Sequence, residues 1–244
     1  MTAMDEIEQR QHLAAAFRWS ARLGFNEAVA NHFSALVPGS DTNFLLNPRG
    51  RHFSRVRASE LLLLDASAAG GEAHPAADPT AWYLHAHLHR LVPHAKVILH
   101  THMPHATALA CLDGFELLML DQTACRFHGR VAYDRDFRGM FLDDQEGPRL
   151  AGLLTDGIST VFLGNHGVMV VGNTVAEAFD ELYYLERAAE LQVLALSTGR
   201  PLRLLPDDVA ALTCRQWQEY PQGAELHFAE LLRILDDDAP DYAG

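Results

Sequence analysis

At 244 residues and 48% hydrophobic content, the chain can bury one sizeable core with at most a small appendage. A formal net charge of −13, with no basic cluster to offset it, excludes a polyanionic partner such as nucleic acid; it leaves room for a small anionic substrate, because local charges dominate inside a pocket. No uninterrupted apolar run approaches the ~20 residues of a membrane span, and the acidic start at Asp5, Glu6 and Glu8 is unlike a signal peptide, so the expectation is a cytoplasmic protein with no membrane partner.

Taken in order, residues 4–23 predict a helix with an approximate apolar stripe of Ile7, Ala14, Phe17 and Ala21 and a stop at Gly24. The stretch Phe25 to Ser34 leads into a strand, and Phe44-Leu45-Leu46 is a short strand before the turn Asn47-Pro48-Arg49-Gly50. Leu61 to Asp65 reads as a buried strand, followed by an Ala/Gly-rich loop to Ala77 that suits a rim or lid. Asp78 and Pro79 then open a helix as N-cap and first residue. Its continuation from Thr80 to Leu91 puts Ala81, Leu84, His85, Leu88 and Leu91 broadly on one face.

Lys96 to His102 predicts a buried strand whose last residues emerge at the edge of a core. Side chains two apart on a strand share a face, so His100 and His102 aim at one spot. Met103-Pro104 starts another helix, with His105 near its positive end, where a charged imidazolium is disfavoured. Cys111, Cys125 and Cys214 are too widely spaced for a disulfide framework or a zinc knuckle, and Cys111 and Cys125 read as inert core thiols. The polar segment 134–147 suits an irregular loop, and Pro148 to Leu154 a modest helix. Ser159 to Gly172 holds two β-rich runs around Gly164-Asn165-His166-Gly167, a hairpin whose glycines let the backbone approach closely. Thr174 and Glu177 form a capping box for a long helix to about Ser197. Residues 201–244 form a helical tail beyond a main domain of residues 1–200, with Trp217, Tyr220 and Phe228 available to a neighbouring subunit.

The strand-end pair alone fits two polar residues at the close of a strand. With His166 in the hairpin, three histidines on rigid elements and a fourth position open make the ligand set of a catalytic metal. These histidines, together with Asn47 to Gly50, Gln122-Thr123-Ala124 before Gly129 to Tyr133, and the segment Thr174 to Leu185, resemble the class II aldolase/adducin family over roughly residues 31–196. The ending Leu231 to Asp236 resembles the adducin-like branch. The resemblance implies an α/β fold with a central, mostly antiparallel sheet flanked by helices on both faces. It also implies a divalent metal on His100, His102 and His166, with zinc foremost and Mn2+, Fe2+ and Co2+ as alternatives, and a homotetramer with sites between subunits.

By the same resemblance Asn31 holds an anionic substrate group, and Thr80 joins it in the substrate-binding set. Arg49 stands where aldolases of the family carry a small polar residue facing a phosphate. Its guanidinium can grip a carboxylate through two parallel hydrogen bonds, although a solvent-facing arginine is the competing reading. Gln122, Arg126 and His128 lie on a segment that relatives use for substrate contact, often across a subunit boundary; Gln122 and His128 are candidates for catalysis and Arg126 for binding. His85 is either a hydrogen-bonded packing residue or a proton donor. The departure that matters is Ala81, where sugar-phosphate aldolases of the family carry a glutamate as acid/base; a methyl group cannot move a proton, so the standard aldol mechanism requires Asp78, His85 or Asp121 to substitute. Retro-aldol cleavage needs a hydroxyl proton removed and decarboxylation does not. The expected activity is therefore a metal-dependent carbon-carbon lyase acting through a metal-stabilised enolate on a small hydroxylated, carboxylated substrate, a decarboxylase ahead of an aldolase. The alternatives are an oxygen-dependent ferrous enzyme and a non-catalytic assembly module like the adducin head.

Overall fold

Strand residues that bury side chains on both faces draw helices to each side of a sheet, and this chain does so throughout its centre. The computed structural model describes residues 5–220 and 222–244. Its strands are β1 (His32–Leu36), β2 (Asn43–Leu46), β3 (Leu62–Asp65), β4 (Val97–Thr101), β5 (Val131–Asp134), β6 (Thr160–Leu163) and β7 (Gly167–Gly172), in the order β3-β2-β1-β4-β7-β6-β5. All neighbours run antiparallel except β5 with β6. The helices are α1 (Glu6–Leu23), α2 (Pro79–Leu91), α3 (Pro104–Ala110), α4 (Glu146–Ala151), α5 (Val175–Ser197), α6 (Asp207–Glu219) and α7 (Gly223–Asp238). The fold is thus the expected α/β arrangement of a mostly antiparallel sheet between helical layers. Among the described residues no helix is long and apolar enough to cross a membrane.

Alternation along the strands assigns the layers. Phe33, Ala35, Val97, Leu99, Val168 and Val170 face α1, α3, α5 and α7 in the larger core, whereas Ile98, Val161, Leu163, Met169 and Val171 face α2 and α4. His32, Ser34 and His100 share the parity of Ile98, so polar groups near the end of β1 and β4 lie on the α2 side. Helix ends are fixed locally. Asp5 Oδ1 accepts from the Glu8 N–H at 2.8 Å, and Gly24 closes α1 with φ of 71°. Thr174 Oγ1 accepts from the Glu177 N–H at 3.1 Å, while the Glu177 carboxylate reaches back to the Asn173 N–H at 3.0 Å.

Several expectations change. Leu61 to Asp65 is an edge strand rather than a buried one: Leu64 is covered but Leu63 is 52% exposed, because β3 has a neighbour on one side only. Cys111 is exposed at the end of α3, so only Cys125 and Cys214 are buried thiols. The modest helix starts two residues early, at Glu146, and Gly147 is what lets it pack: a Cβ there would lie 2.6 Å from both His87 Cβ and the Tyr83 carbonyl oxygen. The Ala/Gly-rich loop is tied down by the Trp82 indole, which donates to the Gly71 carbonyl at 3.2 Å, and by the Arg49 N–H, which donates to Ala76 at 2.8 Å. In the tail, Phe228 joins Leu231 and Leu235 in the core against α1 and α5, so it serves its own chain rather than a neighbour.

Candidate metal centre

The register of the sheet assembles the site. His32 on β1 lies directly opposite His100 on β4, and His100 lies opposite Met169 on β7. The β6–β7 turn, with Asn165 at φ 53°, brings His166 to the same sheet end. Gly167 is required there for space, since a Cβ would meet the Thr101 carbonyl oxygen at 2.5 Å and His102 Cδ2 at 2.7 Å. The result is a cluster in which one ring nitrogen from each of His100, His102 and His166 lies within 4.8 Å of the others.

The hydrogen bonds around the cluster leave lone pairs for a cation. His100 Nδ1 donates to the Val168 carbonyl at 2.9 Å, which leaves its Nε2 bare. His102 Nδ1 donates to Glu27 Oε2 at 2.5 Å, and its Nε2 is buried with no partner. His166 Nδ1 is likewise buried without a partner. Burial pushes the His100 imidazole well below its ordinary range, reinforced by His32, His166 and His102, and lowers His166 to about 4. Imidazoles with orphaned nitrogens, oriented by a carbonyl and a carboxylate, are a metal-binding donor set, and the residues fit a divalent cation.

Comparison with known proteins agrees with this geometry. The model of the Class II Aldolase and Adducin N-terminal domain matches residues 11–193. The chain belongs to the class II aldolase and adducin family. An aldolase II superfamily protein from Pseudomonas syringae superposes with a TM-score of 0.88 at 32% identity, covering 100% of this chain and 98% of that one. Decarboxylase NovR from Streptomyces niveus is 31% identical over 232 residues, 91% of this chain and 84% of its own. Alpha-adducin from Rattus norvegicus is 30% identical over 244 residues, 93% of this chain but 33% of its own.

Within this class II aldolase fold, the substrate candidates divide into two groups. Asn31 is buried beside the centre; its Oδ1 accepts from the Glu27 N–H at 2.6 Å, while Nδ2 is buried without a partner and remains available as a donor. Arg49 is 63% exposed and reaches only Asp78 Oδ2, at 3.6 Å, so it makes no two-pronged contact within the chain. The Thr80 hydroxyl donates to Asp78 Oδ1 at 2.7 Å and serves the start of α2. Gln122, Arg126 and His128 do not reach the triad. They precede β5, whose first residue pairs with Thr160, whereas His166 follows the far end of β6, a separation of roughly 10 Å along the strands alone. There Arg126 donates to Asp180 Oδ2 at 2.6 Å and stacks on Tyr184 and Trp217, and His128 Nε2 pairs with Asp207 at 2.8 Å. Gln122 and Arg126, with Arg130, Glu181 and Trp217, line a groove of about 1580 Å³; this segment can serve a metal centre only if that centre belongs to another subunit.

Of the two readings of His85, the geometry matches the hydrogen-bonded packing residue. It is completely buried, with Nε2 2.7 Å from His32 Nδ1 and Nδ1 2.5 Å from Ser34 Oγ. Both nitrogens are committed, so it does not deliver a proton directly to a substrate. Ala81, one turn earlier on α2, packs against Phe44 and Trp82 and brings no carboxylate. At the start of α3 the buried Glu186 accepts from the His105 and Ala106 N–H groups and from His105 Nδ1 at 2.8 Å, so a carboxylate occupies that helix start. The residues missed in the sequence are Glu27 and His32. Both lie in the same Phe25 to Ser34 run as Asn31, and their proximity to the centre follows from β1 pairing with β4.

Proposed function

We propose that this protein is a divalent-metal-dependent carbon-carbon lyase acting on a small hydroxylated, carboxylated substrate, with decarboxylation favoured over retro-aldol cleavage. The convergence of His100, His102 and His166 on one point carries the reading. When bound, a divalent cation, zinc foremost, supplies Lewis-acid stabilisation of negative charge developing on substrate oxygens. His100 is oriented for this by Val168 and His102 by Glu27. The free Nδ2 of Asn31 donates to an anionic substrate group, and the exposed guanidinium of Arg49 offers a second donor for a carboxylate. The replacement of a carboxylate by Ala81 favours decarboxylation: the one carboxylate on that turn of α2, Asp78, accepts from the Thr80 N–H and hydroxyl at the helix start.

Head-to-tail assembly into a homotetramer, with the Gln122, Arg126 and His128 segment of one subunit completing the centre of the next, fits their separation within one chain. The likeness to NovR supports the decarboxylase reading. The intact triad speaks against a purely structural role like that of an adducin head. The test is a panel of hydroxy and keto acids assayed for carbon dioxide and aldehyde release with zinc, manganese and ferrous iron, with and without oxygen. Carbon dioxide release that is lost in His102→Ala supports the proposal; undiminished turnover in that variant refutes it.

A further inference from the structure

Three buried histidines and a serine on the α2 side of the sheet form an unbroken line of hydrogen bonds that the chemistry above does not use. His32 Nδ1 lies 2.7 Å from His85 Nε2, His85 Nδ1 lies 2.5 Å from Ser34 Oγ, and Ser34 Oγ lies 2.7 Å from His89 Nε2. The line ends where His89 Nδ1 lies 3.0 Å from the Ala95 carbonyl oxygen. All four side chains are buried.

The terminal carbonyl sets the direction of every bond. A carbonyl only accepts, so the proton of His89 is on Nδ1. Burial lowers His89 to about 3 and keeps it neutral, so its Nε2 is an acceptor and takes the Ser34 hydroxyl hydrogen. Ser34 Oγ then accepts from His85 Nδ1–H. His85 is also held neutral by burial, so its Nε2 is bare and accepts from His32 Nδ1–H. The opposite sense would set the unprotonated Nδ1 of His89 against a carbonyl lone pair at 3.0 Å, which is repulsive.

We propose that this relay fixes His32 as the Nδ1–H tautomer, holding its Nε2 beside the metal centre as a bare acceptor that takes a hydrogen bond from a substrate hydroxyl. Nε2 is the one ring nitrogen of the three relay histidines without a partner among the described residues. The His32 ring lies 4.8 Å from that of His100, centroid to centroid, yet His32 does not belong to the mutually close ligand set. His32 thereby supplies a polar contact where Ala81 supplies none. The substrate role rests on the lyase reading above; the tautomer does not.

The test is long-range proton-nitrogen NMR on uniformly ¹³C,¹⁵N-labelled wild-type protein at pH 7.5, without metal and loaded with zinc, with His32 assigned by through-bond correlation from its ring to its backbone. The expected spectrum shows His32, His85 and His89 as neutral Nδ1–H tautomers, with His32 Nε2 unprotonated and free of a zinc-coordination shift. Ser34→Ala should turn the His32 and His85 signals into tautomer mixtures. His32→Phe should bind zinc within threefold of wild type while losing at least ~100-fold in turnover. An Nε2–H tautomer, or zinc coordination by His32, overturns the relay, and the wild-type spectrum decides this even if the variants fail to fold. Full turnover in His32→Phe overturns the substrate contact. Absence of lyase turnover in the zinc-loaded wild type overturns the lyase reading and that contact together, while the spectrum still decides the tautomer.

Discussion

Acidification should unfold the metal-free protein well above the pH at which its carboxylates protonate. Burial lowers both His32 and His89 to about 3, whereas an unfolded histidine titrates near 6.5. Below pH 6.5 the unfolded chain therefore binds more protons than the folded one. The stability contributed by burying neutral imidazoles is complete above that value and is lost progressively as pH falls toward 3. At pH 5, linkage gives about 2 kcal/mol per histidine, or about 4 kcal/mol for these two. His85 and His100 are shifted in the same direction and add to it. Against a typical domain stability of about 5–15 kcal/mol, that is a large fraction. Guanidinium unfolding with a chelator present should show a much lower midpoint at pH 5.0 than at pH 7.5, and in separate chelator-free samples zinc should raise the midpoint more at pH 7.5 than at pH 5.0. An equal or higher midpoint at pH 5.0 would refute the assignment of these rings as buried and neutral.

Other substitutions separate the centre from the rest of the fold. Gly167→Ala places a methyl against Thr101 and His102 and should cost about 1–3 kcal/mol and weaken zinc binding, read by thermal melting and calorimetric titration. Glu27→Ala removes the carboxylate that orients His102 and should weaken zinc about tenfold or more in equilibrium dialysis, with the melting of the metal-free protein little changed. Arg126→Ala leaves the buried Asp180 with only His227 and should destabilise by about 3 kcal/mol or more. Its subunits should bind zinc with wild-type affinity, since Arg126 stands at the opposite end of the sheet.

Local signals made the histidine cluster legible in the sequence. A period of two near the end of a strand placed His100 and His102 together, and the glycines around His166 marked a hairpin with room for close approach. The capping residues Asp78 and Thr174 fixed two helix starts for the same reason: their partners lie within three residues. Glu27 and His32 were missed because their roles depend on β1 lying beside β4, a pairing across some sixty residues that periodicity does not encode. The separation of Arg126 and His128 from the triad was hidden likewise, since it follows from the parallel pairing of β5 with β6. Leu63 misled because an apolar run has the same spelling at the rim of a sheet as in its middle.

The three candidate ligands belong to β4, the residue just after it, and the turn before β7, and those two strands are already stitched together by their own ladder. An ion captured there spans nearest neighbours and closes no new loop. Stripping the metal should therefore leave a preformed, vacant cradle, and repeated cycles of chelation and reloading should proceed by simple exchange without any refolding of the chain.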